Sequence, residues 1–324
     1  MSSTRRLNTI LAAATTALSA GLLATPALAE DTKVAIAISG WTGFAPLTLA
    51  NEAGLFKKNG LDVTIKKIPQ KDRHLAIASG DVQCAATTVE TWVAWNASGV
   101  ATTQIFQLDK SFGADGMVVK PGIARITDLK GKTVAASAPG TSPYFALVWM
   151  LKKNGMSVKD VKVVTLEPQA AANAIIAGTA DVDAAMTYEP YLSAVRAKPE
   201  AGKIIATTLD YPMVMDTFGC TPKFLKDNPK AAKALAESYF AALEMIKSDP
   251  TKSFEIMGAD VKQPGEAFQK SAAFLRWQDR AANQKFFAGE HAAFTKEAAD
   301  LLLEAGVIKT IPDLKSLADT SFIQ

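Results

Sequence analysis

Four acidic and two aromatic residues stand at or just after the ends of predicted strands, where they could bind a small organic cation. The acids are Glu90, Asp109, Glu189 and Asp216, and the aromatic residues are Trp41 and Tyr188. Aromatic faces and carboxylates in a partly desolvated pocket attract cations. An anion would favour arginine, and only Lys110 lies near these positions. The set predicts a cationic or neutral amide-like nitrogen compound, such as a guanidinium, an amine or a urea-like molecule.

A second group of residues supports a different ligand. The segment Ser137 to Ser142, which includes Thr141, precedes a predicted helix. Its amides and hydroxyls could hold a sulfonate, nitrate or carboxylate without a basic side chain. A zwitterion could place its amine on Glu90 and its acid group on this helix start. Thr42 and Thr88, two further polar residues at strand ends, complete the candidate set.

Two of the acids also have simpler interpretations. Glu90 falls in the first turn of a predicted helix, where a negative charge complements the helix dipole. Glu189 precedes Pro190 and could cap or line the helix that follows. The sequence leaves both alternatives open.

A repeated order of strands and helices must position these residues. Strands are predicted at 33–38, 61–68, 82–86, 105–108, 133–137, 161–166 and 182–186, and helices at 46–59, 71–79, 91–97, 141–154 and 169–177. Strands that alternate with helices through short connections indicate an α/β protein with a largely parallel sheet. The pattern occurs twice, joined by extended segments near 116–120 and 213–219, which predicts two domains. Helices at 229–247, 264–274 and 291–305 are expected to return to the first domain.

The first 29 residues have the pattern of a cleavable signal peptide. Arg5 and Arg6 precede an uncharged stretch rich in Ala, Leu and Thr, and Ala27-Leu28-Ala29 provides small residues for cleavage after Ala29. The mature protein is therefore expected to be soluble in the periplasm. The formal net charge of the full chain is +3, and two of its positive charges belong to Arg5 and Arg6. A nearly neutral mature protein argues against binding nucleic acid.

Cysteine and histidine are too sparse to suggest a metal or redox site. Cys84 and Cys220 are the only cysteines, and His74 and His291 the only histidines. In an oxidising compartment the cysteines can form a disulfide, or they can be small buried hydrophobic residues. The sequence also lacks a Gly-x-Ser-x-Gly elbow and a phosphate loop. No metal and no cofactor are predicted.

Several motifs occur in a characteristic order along the mature chain. Residues 41–63 combine a helix ending in Glu-Ala-Gly-Leu-Phe with a following Gly-Leu-Asp-Val strand, and further matches are Ala-Ser-Gly-Asp at 78–81, Asp-Leu-Lys-Gly-Lys-Thr-Val at 128–134, and Ala-Gly at 177–178 running to Tyr-Glu-Pro-Tyr at 188–191. This ordered set resembles the substrate-binding proteins of ABC importers in the nitrate/sulfonate/taurine/bicarbonate family, which also includes binders of pyrimidine precursors.

The resemblance implies the architecture and the partners of the protein. The expected fold is the two-domain periplasmic-binding-protein fold with two crossovers (type II) and a ligand cleft between the lobes. Residues 1–29 would form the signal peptide, 30–118 with 217–324 lobe I, and 119–216 lobe II. A monomer would capture a small solute and deliver it to a permease and an ATPase in the inner membrane. A secreted enzyme on the same fold is the alternative from another class.

Overall fold

Two separate β-sheets form the framework of the computed structural model, which describes residues 30–324. The predicted signal peptide lies outside the described residues. The strands are β1 Thr32–Ile38, β2 Leu61–Lys67, β3 Cys84–Thr88, β4 Thr103–Ser111, β5 Asp115–Val119, β6 Thr133–Ala136, β7 Lys162–Thr165, β8 Ala184–Tyr188, β9 Lys203–Thr207, β10 Met215–Cys220 and β11 Leu275–Trp277. The six-stranded sheet has the order β11-β4-β10-β3-β1-β2, and the five-stranded sheet has the order β7-β6-β8-β5-β9. We call the parts built on these sheets lobe I and lobe II.

Helices connect the strands within each sheet and dominate the last third of the chain. They are α1 Ala45–Glu52, α2 Leu55–Lys58, α3 Gln70–Ser79, α4 Val89–Ala97, α5 Ser142–Lys153, α6 Pro168–Ile176, α7 Tyr191–Arg196, α8 Pro222–Asp227, α9 Pro229–Ser248, α10 Pro250–Asp260, α11 Gly265–Ala272, α12 Arg280–Lys285 and α13 His291–Glu304. The helix predicted at 46–59 is divided into α1 and α2 by Gly54, which has a φ of 70°. Such a φ ends a helix at little cost only for glycine.

Strand direction confirms the α/β fold with two lobes and shows where the sheets depart from a parallel pattern. β1 pairs in parallel with β2 and β3, and β6 pairs in parallel with β7 and β8. β10 lies between β3 and β4 and is antiparallel to both. Likewise β5 lies antiparallel between β8 and β9. Because β5 belongs to the second sheet, the chain crosses to lobe II just before Asp115. The exact lobe boundaries stay a prediction.

The C-terminal helices do not all return to lobe I. Leu235 and Tyr239 of α9 and Phe268 of α11 belong to the apolar core on the first sheet. In contrast, Phe294 of α13 packs with Trp149 of α5 in the core of lobe II, at a ring distance of 5.9 Å. α13 also contacts α4. This last helix therefore bridges the two lobes instead of belonging to the first alone.

A disulfide joins the two cysteines, which resolves the alternatives left by the sequence. Cys84 on β3 and Cys220 on β10 are directly opposite each other in the antiparallel register. Both are fully buried in lobe I. Across residues 30–324, no helix is both long enough and apolar enough to span a bilayer.

Candidate functional site

A cavity lies between the lobes, at the ends of several strands and the first turns of two helices. Its lining residues are Ser39, Trp41, Phe44, Gln70, Arg73, Thr88, Asp115, Ser142, Tyr188, Val214 and Asp216. The empty space among them, including the mouth, is about 270 Å³. The part of this space that a water molecule can enter is only about 20 Å³, little more than a single water needs, so side chains almost fill the cleft between the lobes.

An aromatic pair forms one wall and joins the two lobes. Trp41 follows β1 in lobe I, and Tyr188 is the last residue of β8 in lobe II. Their ring centroids are 5.3 Å apart with an interplanar angle of 74°, an edge-to-face contact. Trp41 Nε1 is 3.3 Å from each carboxylate oxygen of Asp109 and donates a hydrogen bond to that carboxylate. The carboxylate therefore fixes the orientation of the indole.

Four buried carboxylates lie in the cavity lining or directly behind it. Glu90 and Asp109 are completely buried, and Asp115 and Asp216 are each 3% exposed. Asp216 on β10 is directly opposite Asp109 on β4, so two acids face each other across neighbouring strands. Like charges in such a pair are destabilising when both are ionised. Glu90 accepts a hydrogen bond from the Thr88 hydroxyl, whereas Glu90 Oε2 and Asp115 Oδ2 are buried without a hydrogen-bond partner.

Burial makes all four carboxylates weaker acids than usual. It raises the pKa of Glu90 to about 8 and the pKa of Asp115 to about 7. Burial also raises the pKa of Asp109 and of Asp216 well above the usual range. For Asp216, the negative charges of its three acidic neighbours add to the effect of burial. These carboxylates therefore retain protons at neutral pH, since ionising all four would concentrate negative charge in a region of low dielectric.

Arg73 provides the single positive charge among the lining residues, and sequence reasoning missed it. The side chain is 1% exposed. Its Nε donates to the Ile68 carbonyl at 2.9 Å and its Nη1 donates to the Ala86 carbonyl at 2.5 Å. Nη2 is buried without a hydrogen-bond partner. Burial lowers the pKa of Arg73 to about 10, so the guanidinium remains charged at neutral pH.

The residues predicted from sequence are only partly brought together. Those that line the cavity are Trp41, Thr88, Ser142, Tyr188 and Asp216. Glu90 and Asp109 lie directly behind it, hydrogen-bonded to Thr88 and Trp41. Asp109 lies inside β4 and Asp216 inside β10, whereas the sequence placed Asp109 after a strand and Asp216 on a crossover. Because both are on strands, their side chains are fixed by sheet register.

Four other candidates do not line the cavity. Thr42 and Ser137 are buried, and their hydroxyls lack a partner. The Thr141 hydroxyl donates to the Ala138 carbonyl at 2.7 Å. Glu189 is fully buried and forms an ion pair with Arg196. Its Oε2 accepts from the Ser193 amide at 3.1 Å, so Glu189 caps α7 in the way its simpler interpretation implied.

The residues that sequence reasoning overlooked come mainly from a helix start. Gln70 and Arg73 lie in the first turn of α3, which directly follows β2. The rule that helix N-termini line such clefts could have found them. Asp115 is the first residue of β5, in the crossover between the lobes, and no local pattern identifies it. Ser39, Phe44 and Val214 complete the lining.

Gly43 must be glycine for the Trp41–Asp109 pair to form. A methyl group on Gly43 would overlap both Asp109 Oδ2 and Trp41 Nε1. We expect Gly43→Ala to lower the free energy of unfolding by about 1–3 kcal/mol through overpacking and to displace the indole. Urea unfolding and near-ultraviolet circular dichroism measure the two effects.

Gly289→Ala is the matched control for this change. A methyl group on Gly289 would meet no atom within 4 Å. This variant should retain the tryptophan spectrum of the unchanged protein and should be as stable or slightly more stable, because alanine is favoured over glycine in a helix. An unaltered tryptophan spectrum in Gly43→Ala would show that the indole does not depend on the close approach at Gly43.

The two-lobe architecture is the fold of periplasmic binding proteins, as two solved structures show. The alkanesulfonate-binding protein SsuA from Xanthomonas axonopodis pv. citri, bound to MOPS, matches with a TM-score of 0.77 at 17% identity, covering 90% of this chain and all of that one. The nitrate-binding protein NrtA from Synechocystis PCC 6803 matches with a TM-score of 0.64 at 18% identity, covering 86% of each chain. Identities this low show the fold alone.

The family follows from the sequence match. The model of the NMT1/THI5-like family matches residues 41–253, and the chain belongs to this family. The taurine-binding periplasmic protein of Escherichia coli (strain K12) is 28% identical over 224 residues, which cover 67% of this chain and 68% of that protein. The resemblance to the nitrate, sulfonate and taurine group is confirmed.

Proposed function

We propose that this protein is the solute-binding component of an ABC importer. Its family, its two-lobe fold and the closed polar cavity between the lobes support this function. In this proposal a soluble monomer captures a small solute in the periplasm, after removal of its signal peptide. It then delivers the solute to a permease coupled to an ATPase in the inner membrane.

Capture would work by closure of the two lobes around the solute. Trp41 and Asp216 reach the cavity from lobe I, and Ser142 and Tyr188 reach it from lobe II. A solute can contact both groups only when the lobes are closed. It therefore stabilises the closed form by the difference between its affinities for the closed and open forms.

We further propose that the solute is a small cation or an amide-like nitrogen compound. The observation that carries this proposal is the pair of buried carboxylates in the cavity lining, Asp115 and Asp216, with two more buried behind them; Arg73 is the one basic residue in the lining. Buried charges are costly unless they are paired. A cation would pair with the carboxylates that Arg73 leaves uncompensated. A urea-like molecule would donate to Asp115 and Asp216 and accept from the unpaired Nη2 of Arg73.

A sulfonate, nitrate or zwitterion is the second candidate solute. The names of the taurine-, alkanesulfonate- and nitrate-binding relatives favour it, and so does Arg73 at the cavity. The Ser142 hydroxyl, which is buried without a partner, could donate to an acid group. A zwitterion would use this donor together with the carboxylates on the opposite side.

Catalysis is the alternative from another class, and neither histidine supports it. The fold by itself does not decide between binding and catalysis. His291 lies on α13, 3.2 Å from Gln104 Oε1, and burial lowers its pKa to about 4. His74 packs near Trp95 at a ring distance of 6.2 Å. Neither lines the cavity, and residues 30–324 contain no group of three or more His, Cys, Asp or Glu arranged to hold a metal.

A thermal-shift screen tests the proposed solute class. The protein is melted with guanidinium, methylammonium and urea, and separately with taurine, methanesulfonate and nitrate. A ligand at a hundred times its dissociation constant adds about 2.7 kcal/mol of stability. Stabilisation by the nitrogen compounds alone is the expected result. Stabilisation by sulfonate or nitrate alone would contradict the cation proposal and favour the second candidate.

A further inference from the structure

The side chain of Gln70 crosses from one lobe to the other and occupies the start of α5. Gln70 is the first residue of α3 in lobe I and is half-buried. Its Oε1 accepts a hydrogen bond from the Ser142 amide of lobe II at 3.2 Å. Its Nε2 donates to Thr87 Oγ1 at 2.8 Å and to Thr91 Oγ1 at 2.9 Å. The backbone amide of Ser142 is a donor and needs an acceptor, so the Oε1 of Gln70 and not its Nε2 must face it.

The Ser142 amide is the donor that an anion would otherwise use. The first amides of a helix lack intrahelical partners and attract negative charge. Of the first three residues of α5, Pro143 has no amide hydrogen, and Ser142 already donates to Gln70. The Thr141 hydroxyl is directed to the Ala138 carbonyl. The first amide of α5 is therefore already occupied by Gln70, and the Tyr144 amide is the backbone donor that remains among these three residues.

Two buried donors beside this contact have no partner. Ser142 Oγ and Arg73 Nη2 both belong to residues that line the cavity, and neither makes a hydrogen bond. Ser142 is 5% exposed and Arg73 is 1% exposed. With the Ser142 amide, they would make three donors suited to a sulfonate or nitrate. Only the neutral carbonyl oxygen of Gln70 stands at this position.

We propose that Gln70 determines the specificity of the cavity by occupying the place of an anionic group at the start of α5. The proposal rests on this cavity being the solute site. A neutral amide satisfies the helix start without bringing a negative charge close to Asp216 and Asp115. The cavity thereby excludes anions and keeps a contact between the lobes that does not depend on the solute.

Shortening Gln70 should therefore create an anion site. We expect Gln70→Ala to bind methanesulfonate and nitrate about tenfold more tightly than the unchanged protein, a gain of about 1.4 kcal/mol, because the freed amide at the helix start can then pair with the anion. Isothermal titration calorimetry at constant pH and salt measures this gain. Gln70→Ser, which also cannot reach Ser142, repeats the test should the alanine variant fold poorly.

Gln70→Glu is the matched control, and guanidinium is the reference ligand. The glutamate is as long as glutamine and can still accept from the Ser142 amide, so this variant should gain no anion affinity. Equal anion binding by Gln70→Ala and the unchanged protein, whether weak or tight, would overturn the role of Gln70. The unchanged protein's response to guanidinium tests the proposed solute separately. If guanidinium does not bind the unchanged protein but Gln70→Ala binds anions more tightly, the cationic solute is rejected and the role of Gln70 is supported.

Discussion

Replacing Asp216 with asparagine is expected to weaken the binding of a cationic solute about thirtyfold or more. Asp216 lines the cavity and is 3% exposed. Asparagine keeps the shape of the side chain but removes the charge that would pair with the cation. Loss of one partner from a buried charge pair costs about 2–5 kcal/mol. Calorimetric titration with guanidinium and methylammonium measures the loss.

The same substitution should make the ligand-free protein more stable at pH 8. Asp216 faces Asp109 across the strands β10 and β4, and asparagine cannot repel that carboxylate. Burial and the neighbouring acids raise the pKa of Asp216 well above its usual range, which means that ionising it in the folded protein is unfavourable. Thermal melting without ligand should therefore show a higher Tm for Asp216→Asn, while the stabilisation by guanidinium becomes smaller.

Asp62→Asn is the charge-matched control for Asp216→Asn. Asp62 is exposed on β2 and lies outside the cavity lining, so it changes the net charge equally without touching the site. Its cation affinity and Tm should match those of the unchanged protein. Full guanidinium affinity in Asp216→Asn would reject the role of the buried carboxylates in binding.

Local sequence patterns predicted the strands β1 to β4 and β6 to β8 and the helices between them, but they did not predict β5, β9, β10 and β11 as strands. The predicted strands at 33–38, 61–68 and 133–137 correspond closely to β1, β2 and β6. Hydrophobic periodicity and a glycine after a helix are local signals. They predict these elements correctly because neighbouring parallel strands must be connected by a crossover, which here is a helix. The sequence could not show that α13 contacts both lobes, because an amphipathic helix does not reveal which apolar surfaces it covers; α13 packs against α4 and α5.

Long-range pairing decided the parts of the site that the sequence could not supply. Asp216 meets Asp109 only through the antiparallel insertion of β10 beside β4. The Cys84–Cys220 disulfide depends on the same strand, across a separation of 136 residues. Whether Glu189 faces the cavity or Arg196 was equally invisible in the sequence. A charged residue in a short motif identifies a candidate site residue, but the register of the strands determines which side chain it faces.

A cationic solute should bind more weakly as the pH falls from 9 to 6. In the ligand-free protein burial raises the pKa of Glu90 to about 8 and of Asp115 to about 7, and those of Asp109 and Asp216 are raised as well. A cation binds the ionised carboxylates, so protons compete with it below these values. Each proton released lowers the affinity by up to about tenfold per pH unit.

The same four carboxylates determine how the stability of the ligand-free protein changes with pH. Their pKa values in the folded protein exceed those of the unfolded chain, near 4, so the folded state binds more protons between these values. Stability is then fully present below about pH 4 and is lost as the pH rises through 7 to 8. The ligand-free Tm should accordingly be lower at pH 8.5 than at pH 5.5, and a cationic solute should reduce this difference.

Calorimetry in two buffers of different ionisation enthalpy counts the protons and separates the candidate solutes. A cation should release protons on binding, a urea-like molecule should release almost none, and an anion should take protons up and bind more tightly at low pH. Arg73, with a pKa of about 10, and His291, with a pKa of about 4, keep one protonation state from pH 6 to 9. Neither of these two groups therefore contributes to the measured protons, and uptake in place of release would reject a cationic solute whatever its affinity.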